Sequence, residues 1–179
     1  DPDLVAIDVP EYIRDDSTDL EFRGGEFNWA LFAPLMHLKR LAIIGNDIRS
    51  LNLEPLRQCP NLNRLEITGN SLESLDLEPI RCRSTLTTLK ISRNYDIRHL
   101  NLKPVAECKM LEVLDLSETE TLYLDIDPLF SSPKLNEVRI SRPSGRSRRS
   151  IQLQISPKNK DKKPDWLTLL RKNKDIMKF

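Results

Sequence analysis

Aliphatic residues recur along the chain in a pattern with a period of 24 residues. The segment that begins at Leu38 reads LKRLAIIGNDIRSLNLEPLRQCPN. The same spacing returns in segments that begin at Leu62, Leu86 and Leu111. The third of these four copies holds one extra residue near Tyr95, and a fifth copy starts at Leu135 and breaks off at Pro143. A period of this length predicts a stack of like units, in which each unit buries its apolar edge against its neighbours.

Each copy opens with the spacing L-x-x-L-x-L, which predicts a short strand. Alternate residues of a strand point to opposite sides, so the two alternating aliphatic residues face inward and the residues between them face outward. The inward pairs are Leu41 and Ile43, Leu65 and Ile67, Leu89 and Ile91, and Leu114 and Leu116. We expect these strands to stack as a parallel ladder about 4.8 Å apart.

The second half of each copy also repeats, and it ends in a proline. In the first copy it reads Leu51-x-Leu53-x-Pro55-Leu56. The corresponding prolines of the next three copies are Pro79, Pro104 and Pro128. Proline is favoured in the first position of a helix, where its missing N–H costs nothing. We therefore predict an extended piece followed by a helical turn, which together return the chain to the next strand.

The chain divides into three parts on this pattern. Residues 17–141 hold the repeats, with about six strands, because residues 17–37 form a shorter and more aromatic first copy. Residues 1–16 precede them as a predicted N-terminal cap. Residues 142–179 follow as a basic C-terminal cap that we expect to contain a loop, a strand and a helix.

The C-terminal part carries two patterned segments. Residues 151–155 alternate between apolar and polar, which predicts a half-buried strand that adds to the last repeat, where its apolar side chains cover either the edge of the last strand or the core beneath it. Asp165 is a candidate N-cap for a helix that begins at Trp166. The apolar residues expected on one face of that helix are Trp166, Leu169, Leu170 and Met177. Two interpretations stay open: the helix caps the last repeat, or it docks a partner.

The four copies resemble the leucine-rich-repeat family, whose signature is L-x-x-L-x-L-x-x-N-x-L. Asn46, Asn70 and Asn94 match the asparagine of that signature, whereas the fourth copy has Thr119 and the first has Gly25. The resemblance implies a curved solenoid of the α/β repeat type. One parallel sheet would line its concave face, and short helical or extended return legs would lie on its convex face.

Charge is distributed unevenly, although the whole chain has a net charge of only +1. Residues 1–141 hold 16 Lys and Arg against 24 Asp and Glu, a balance of −8. Residues 142–179 hold 12 against 3, a balance of +9. An acidic body joined to a basic tail points to charged partners or to contact between the two parts.

Three cysteines occur one per repeat, as Cys59, Cys82 and Cys108. An odd and sparse set does not suit a disulfide framework. We interpret all three as small buried residues that fill the core of a reduced protein. That interpretation and the lack of a signal-peptide pattern favour an intracellular, cytoplasmic location. No apolar run approaches the roughly 20 residues of a membrane helix, so we expect no membrane partner.

Residues that carry catalysis or bind metals are scarce. The two histidines, His37 and His99, lie in different copies and have no metal-ligand spacing with the cysteines or carboxylates. No glycine-rich phosphate loop and no G-x-S-x-G motif is present. We therefore expect no enzyme activity, no metal and no cofactor.

The leucine-rich-repeat resemblance implies that the outward residues of the strands line a binding face. This face mixes both charges and carries no aromatic residue on its strands. Tyr95, just past the third strand, is the nearest aromatic residue, and interface hot spots favour Tyr, Trp and Arg. The candidate contact residues are Arg40, Arg64, Glu66, Thr68, Thr88, Lys90, Ser92, Tyr95, Asp115, Ser117, Glu137 and Arg139.

The leading hypothesis is a scaffold or adaptor module that binds a protein or peptide through this concave face and adjoining loops. The alternative is nucleic-acid or acidic-surface binding through the basic C-terminal segment. That segment supplies charge through Arg142, Arg146, Arg148, Arg149, Lys158, Lys160, Lys162 and Lys163. Its loops contain no aromatic residue for base stacking, which disfavours nucleic acid. A third hypothesis is that the tail binds the acidic body.

Overall fold

The architecture comes from a computed structural model, which describes residues 19–23, 37–142 and 150–170. It contains one six-stranded sheet in the order β1-β2-β3-β4-β5-β7, and every pairing in it is parallel. The strands of this sheet are β1 (Asp19–Arg23), β2 (Arg40–Ile44), β3 (Arg64–Thr68), β4 (Thr88–Lys90), β5 (Val113–Ser117) and β7 (Glu137–Ser141). The parallel ladder expected from the L-x-L pattern is thus confirmed, with one strand per repeat.

Strand pairing joins identical positions of successive repeats. Leu41 of β2 pairs with Leu65 of β3, which pairs with Leu89 of β4, and Leu89 pairs with Leu114 of β5. These four leucines are 0–1% exposed. Because strand alternation places them all on one side, they form a continuous apolar row, to which the return legs add their own leucines. The core is therefore a stack of equivalent layers.

Buried asparagines close the turns that follow the strands. The Asn70 side-chain amide donates to the carbonyls of Ile43, at 3.1 Å, and Thr68, at 3.3 Å. Its carbonyl Oδ1 accepts from the backbone N–H of Asn46, at 3.1 Å, in the preceding repeat. The fourth copy has Thr119 in place of the asparagine. The Thr119 hydroxyl donates to the Leu116 carbonyl of its own repeat, so it does not link two repeats. The asparagine therefore connects neighbouring turns.

The return legs contain short 3-10 helices, each with its proline in the first turn, which confirms the predicted helical turns. Those in the four full copies span Glu54–Gln58, Glu78–Ile80, Lys103–Glu107 and Asp127–Ser131. Before each one, an Asn or Asp side chain accepts the backbone N–H two residues onward. These side chains are Asn52, Asp76, Asn101 and Asp125, at 2.9–3.1 Å.

The prediction that all three cysteines fill the core is wrong for Cys82. Cys59 and Cys108 are buried, whereas Cys82 is exposed and adopts a positive φ of 62°. The 3-10 helix of its repeat is only Glu78–Ile80, so the chain leaves the helix early and turns outward. As a result, Arg83 occupies the position that Cys59 and Cys108 occupy in their repeats, three residues before the leading leucine.

Arg83 uses this position to bind the preceding repeat. Its guanidinium donates to the Cys59 carbonyl at 3.2 Å and to the Arg57 carbonyl at 2.7 Å. The buried Cys108 thiol contacts the Ile80 carbonyl at 3.5 Å. In the second copy the Arg83 guanidinium thus takes the place of the thiol, and the contact with the preceding repeat is preserved.

The strand expected within residues 151–155 is β8 (Gln152–Gln154), but it does not extend the six-stranded sheet. It pairs in parallel with β6 (Tyr123–Asp125) on the return leg of the fourth copy. This pairing places Ile151 and Leu153 in the core cluster. Of the two expected positions, the structure shows cover of the core, which these side chains reach from the return-leg side, and not cover of the edge of the last strand.

The helix α1 spans Asp165–Leu170 and contacts β7. Trp166, Leu167 and Leu170 are buried, and the Trp166 ring meets the Phe130 ring edge-on at 5.3 Å. Leu169 was predicted on the buried face but is 58% exposed. In a six-residue helix, positions 166, 167 and 170 lie within about 100° of one another, and position 169 falls outside that sector. Asp165 is the first helical residue rather than the residue before the helix.

Several sequence expectations concern residues outside the described ranges. The N-terminal cap (1–16), most of the first copy, Gly25, Met177 and the arginines Arg146, Arg148 and Arg149 lie there. Among the described residues, no helix is long and apolar enough to cross a membrane.

Candidate binding face

The outward residues of the strands form one continuous surface, which we call the sheet face. In-register pairing aligns them in columns that match those read from the repeat. One column contains Arg40, Arg64, Thr88, Val113 and Glu137, and a second contains Ala42, Glu66, Lys90, Asp115 and Arg139. Most of these side chains keep part of their surface in solvent, whereas their inward neighbours are almost fully buried. The structure therefore brings the candidate residues of β2–β5 and β7 together.

Ion pairs link charged residues within the sheet face. On β3 and β4, the guanidinium Nη2 of Arg64 lies 2.8 Å from Glu66 Oε2, and Lys90 Nζ lies 3.9 Å from the same oxygen. On β5 and β7, Arg139 pairs with Glu137 and lies 3.7 Å from Asp115 Oδ2. Opposite charges on adjacent strands stabilise a sheet modestly, by roughly 0.2–1 kcal/mol per pair.

Asp115 differs from the other outward residues because it is almost buried. Its side chain is only 9% exposed, and its Oδ1 accepts the Ser117 backbone N–H at 2.9 Å. The arginine next to it, Arg139, remains largely in solvent. The Asp115 carboxylate is therefore nearly buried beside an exposed arginine, although the sequence pattern suggested direct exposure.

A third outward column carries hydroxyl groups along the edge where the strands end. The hydroxyls of Thr68 and Ser92 lie 3.2 Å apart, and the Ser141 hydroxyl accepts the Glu118 backbone N–H at 3.2 Å. Ser92 lies beyond the end of β4, so this column continues past the strands into the turns. The hydroxyls are already engaged with one another and with backbone.

Immediately after this column, one turn position of every full repeat adopts a positive φ. Gly45 and Gly69 hold it in two repeats, with φ of 65° and 69°. Arg93 and Glu118 hold it in the next two, with φ of 55° and 59°. A side chain in this left-handed region costs of order 1–3 kcal/mol, and such residues cluster at functional sites. The sequence reasoning missed these two residues, although both stand one position before the signature asparagine or its replacement.

Arg93, Tyr95 and Glu118 form a cluster at this edge. Glu118 Oε2 accepts the Tyr95 hydroxyl at 3.2 Å, and Arg93 Nε lies 3.8 Å from Glu118 Oε1. The extra residue of the third copy falls in the same turn, between Asn94 and Ile97. We call Arg93, Tyr95 and Glu118 the edge cluster. It is the place where a tyrosine and an exposed arginine border the sheet face.

Beside the sheet face the described residues form a groove, but they form no cluster of metal ligands. A groove of about 270 Å³ between β7 and α1 is lined by Ser117, Val138, Arg139, Ile140, Ser141, Leu169 and Leu170. Within the parts of the chain that the structure describes, no three His, Cys, Asp or Glu side chains are placed to hold a metal ion. Lys158, Lys160, Lys162 and Lys163 are exposed, and Lys162 Nζ lies 5.8 Å from the centre of the Phe130 ring on the fourth return leg.

Comparisons with known proteins support the architecture. No family model and no curated protein matches the sequence. Among solved structures, the functional domain of InlJ from Listeria monocytogenes, which includes a cysteine ladder, matches 72% of this chain with a TM-score of 0.50 and 16% identity. The internalin InlF from Listeria monocytogenes also matches 72% of the chain, at 18% identity and a TM-score of 0.44.

The match covers only part of the neighbouring proteins. The chain spans 27% of the InlJ structure and 44% of the InlF structure. At this identity the likeness to the InlJ domain concerns the fold. It agrees with the parallel sheet, to which each repeat supplies one strand, and with the buried asparagines described above. The chain therefore has the fold of a leucine-rich-repeat solenoid.

Proposed function

We propose that the chain is a non-enzymatic interaction module that binds a protein or peptide through the sheet face and the edge cluster. The observation that carries this proposal is the register of the sheet. It aligns outward, partly exposed side chains of successive repeats over a nearly solvent-free core. A rigid support reduces the ordering cost of binding, because the contact residues are already positioned.

The size of the sheet face supports a contribution from its edge. Six strands at about 4.8 Å give an arc of roughly 24 Å, and a strip about 15–20 Å wide then offers on the order of 400–500 Å². A stable interface needs about 800 Å² on each partner. The strands alone fall short of a globular partner. The edge cluster therefore belongs to the proposed surface, unless the partner is a peptide.

Charge reversal on the two sides of the solenoid tests this proposal. The sheet-face variant is Arg64→Glu with Lys90→Glu, and the control variant is Arg57→Glu with Arg81→Glu on the return legs. Both pairs of cations form surface ion pairs. Such pairs are worth about 0–1 kcal/mol each, so both variants should fold and melt close to the parent protein.

The readout is chemical cross-linking in a cell extract, followed by quantitative mass spectrometry of the captured proteins. We expect the parent and the return-leg variant to capture the same proteins, and the sheet-face variant to lose them. Cross-linked residues should map to the outward columns or to the edge cluster. Identical capture by all three proteins, or cross-links confined to the return legs and the C-terminal segment, would overturn the proposal.

A further inference from the structure

In every ion pair described for the sheet face and the edge cluster, the cation is more exposed than the carboxylate. Arg139 is 59% exposed above Asp115, which is 9% exposed. Arg93 is 62% exposed beside Glu118, which is 34% exposed. The same order holds for Arg64 and Lys90, both more exposed than Glu66. A molecule that approaches this surface therefore meets positive charge first, although the body of the protein is acidic.

The return legs show that this order is not a general property of ion pairs in the fold. Arg57 and Glu54 are exposed to 50% and 53%, and Arg81 and Glu78 are equally matched. The contrast follows from position. On the sheet face, the Asp115 carboxylate is held near the backbone by its bond from the Ser117 N–H. The side chain of Arg139 on the neighbouring strand lies beside it and remains in solvent.

From this order of exposure we infer that the partner presents an acidic segment, with separated Asp or Glu side chains, to the sheet face. The inference rests on the proposed function and adds the chemical class of the partner. A carboxylate of the partner can hydrogen-bond to an outer cation while that cation keeps its inner carboxylate, since a guanidinium has five donors. The inner carboxylates remain paired, so binding leaves no buried charge uncompensated.

The edge cluster is the expected anchor for this segment. The Arg93 Nε lies 3.8 Å from Glu118, beyond hydrogen-bond distance, so its donors are poorly used by this ion pair. The Tyr95 hydroxyl donates to the same Glu118 carboxylate at 3.2 Å, so its aromatic ring belongs to the same cluster. Arginine and tyrosine are the residue types that dominate binding energy at interfaces. The left-handed backbone of Arg93 is then a cost in stability that places its side chain at the rim.

Spaced carboxylates suit this surface better than a nucleic-acid backbone does. The described sheet face and edge cluster pair the cations Arg64, Lys90, Arg93 and Arg139 with the carboxylates Glu66, Asp115, Glu118 and Glu137. A continuous phosphate chain would meet the inner carboxylates as well as the cations. The described strands β2–β5 and β7 of the sheet face also present no outward aromatic side chain on which bases could stack.

Selection from a displayed library of random peptides tests the inference with the full chain. Peptides are selected in parallel on the parent protein, on Arg93→Glu with Arg139→Glu, and on the return-leg control Arg57→Glu with Arg81→Glu. We expect Asp and Glu to be enriched on the parent and on the control, and Lys and Arg to be enriched on the variant with Arg93→Glu and Arg139→Glu. A selection that depends on the sheet face but shows no acidic enrichment overturns the inference and leaves the proposed function standing. A selection that is unchanged by the sheet-face substitutions overturns both.

Affinities of one selected acidic peptide then give the magnitude. An exposed charge pair is worth a factor of about 1.5–5 in Kd, so Arg93→Gln with Arg139→Gln should weaken binding about 2- to 25-fold. Fluorescence anisotropy of the labelled peptide measures this change, and Arg57→Gln should leave the Kd unchanged. Equal binding after replacement of the peptide's Glu by Gln, or tighter binding of a single-stranded oligonucleotide at the same face, would contradict the acidic-segment inference.

Discussion

Replacement of Asn70 by alanine should destabilise the solenoid more than the loss of a hydrogen bond within a single turn would. Asn70 is 3% exposed and makes three hydrogen bonds through its side chain. Two of them, to the Ile43 carbonyl and the Asn46 N–H, cross to the preceding repeat. Alanine fills part of the space but provides no donor or acceptor, so Asn70→Ala loosens both the turn and the junction between repeats.

The magnitude follows from the number of bonds lost. A protein hydrogen bond contributes about 0.5–1.5 kcal/mol, so three bonds correspond to roughly 1.5–4.5 kcal/mol. The upper part of this range is expected, because the groups left behind are buried and water does not replace the lost partner easily. We therefore expect Asn70→Ala to lower the free energy of unfolding by about 3–4 kcal/mol.

Urea denaturation followed by far-ultraviolet circular dichroism measures this change. The control is Asn101→Ala, which removes an exposed turn bond from the Lys103 N–H and should cost no more than about 1 kcal/mol. Repeat proteins can unfold in stages, so coincidence of the dichroism and fluorescence transitions must be checked first. A loss below about 1 kcal/mol for Asn70→Ala, or a loss equal to that of the control, would refute the role given to the asparagine.

Three further predictions follow from the burial and the hydrogen bonds. Leu89→Ala should cost roughly 2–5 kcal/mol, because Leu89 is 0% exposed and is stacked between repeats on both sides; unchanged melting would contradict the core described here. A thiol reagent at neutral pH should label Cys82 quickly, but Cys59 and Cys108 slowly, since burial raises the pKa of each of these two to about 11; fast labelling of all three thiols in the native state would show otherwise. Burial alone would raise the pKa of Asp127, but hydrogen bonds from Ser156 and Asn159 outweigh it and lower the pKa. Because the folded pKa is the lower one, the stabilisation is complete above the ordinary pKa of about 3.9 and is lost as the pH falls through the folded value. Acid should therefore weaken the parent protein more than Asp127→Asn in parallel melting curves, and equal losses would remove Asp127 as the cause.

The repeated pattern by itself determined the main features of the fold. The spacing of Leu41, Leu65, Leu89 and Leu114 predicted the parallel strands, their register and their buried side, and the structure confirms all three. The pattern suffices because strand alternation depends only on neighbouring residues, and a period of 24 brings identical positions together. The prolines predicted the helical turns for the same local reason.

Other features required the tertiary structure, because they depend on contacts between distant parts of the chain. The exposure of Cys82 follows from the early end of one 3-10 helix, and the pairing of β8 with β6 follows from which edge of the core was left uncovered. The replacement of glycine by Arg93 and Glu118 could have been noticed in the aligned copies, but their positive φ could not.

The order of charges on the sheet face belongs to this second group. The sequence placed cations and carboxylates side by side in the outward columns without showing which would stand nearer to solvent. That order depends on backbone hydrogen bonds, such as the one from the Ser117 N–H to Asp115, and on the side chain that the neighbouring strand places beside the carboxylate, here Arg139. The repeat determines which residues face outward, whereas packing across strands determines which charge a partner meets first.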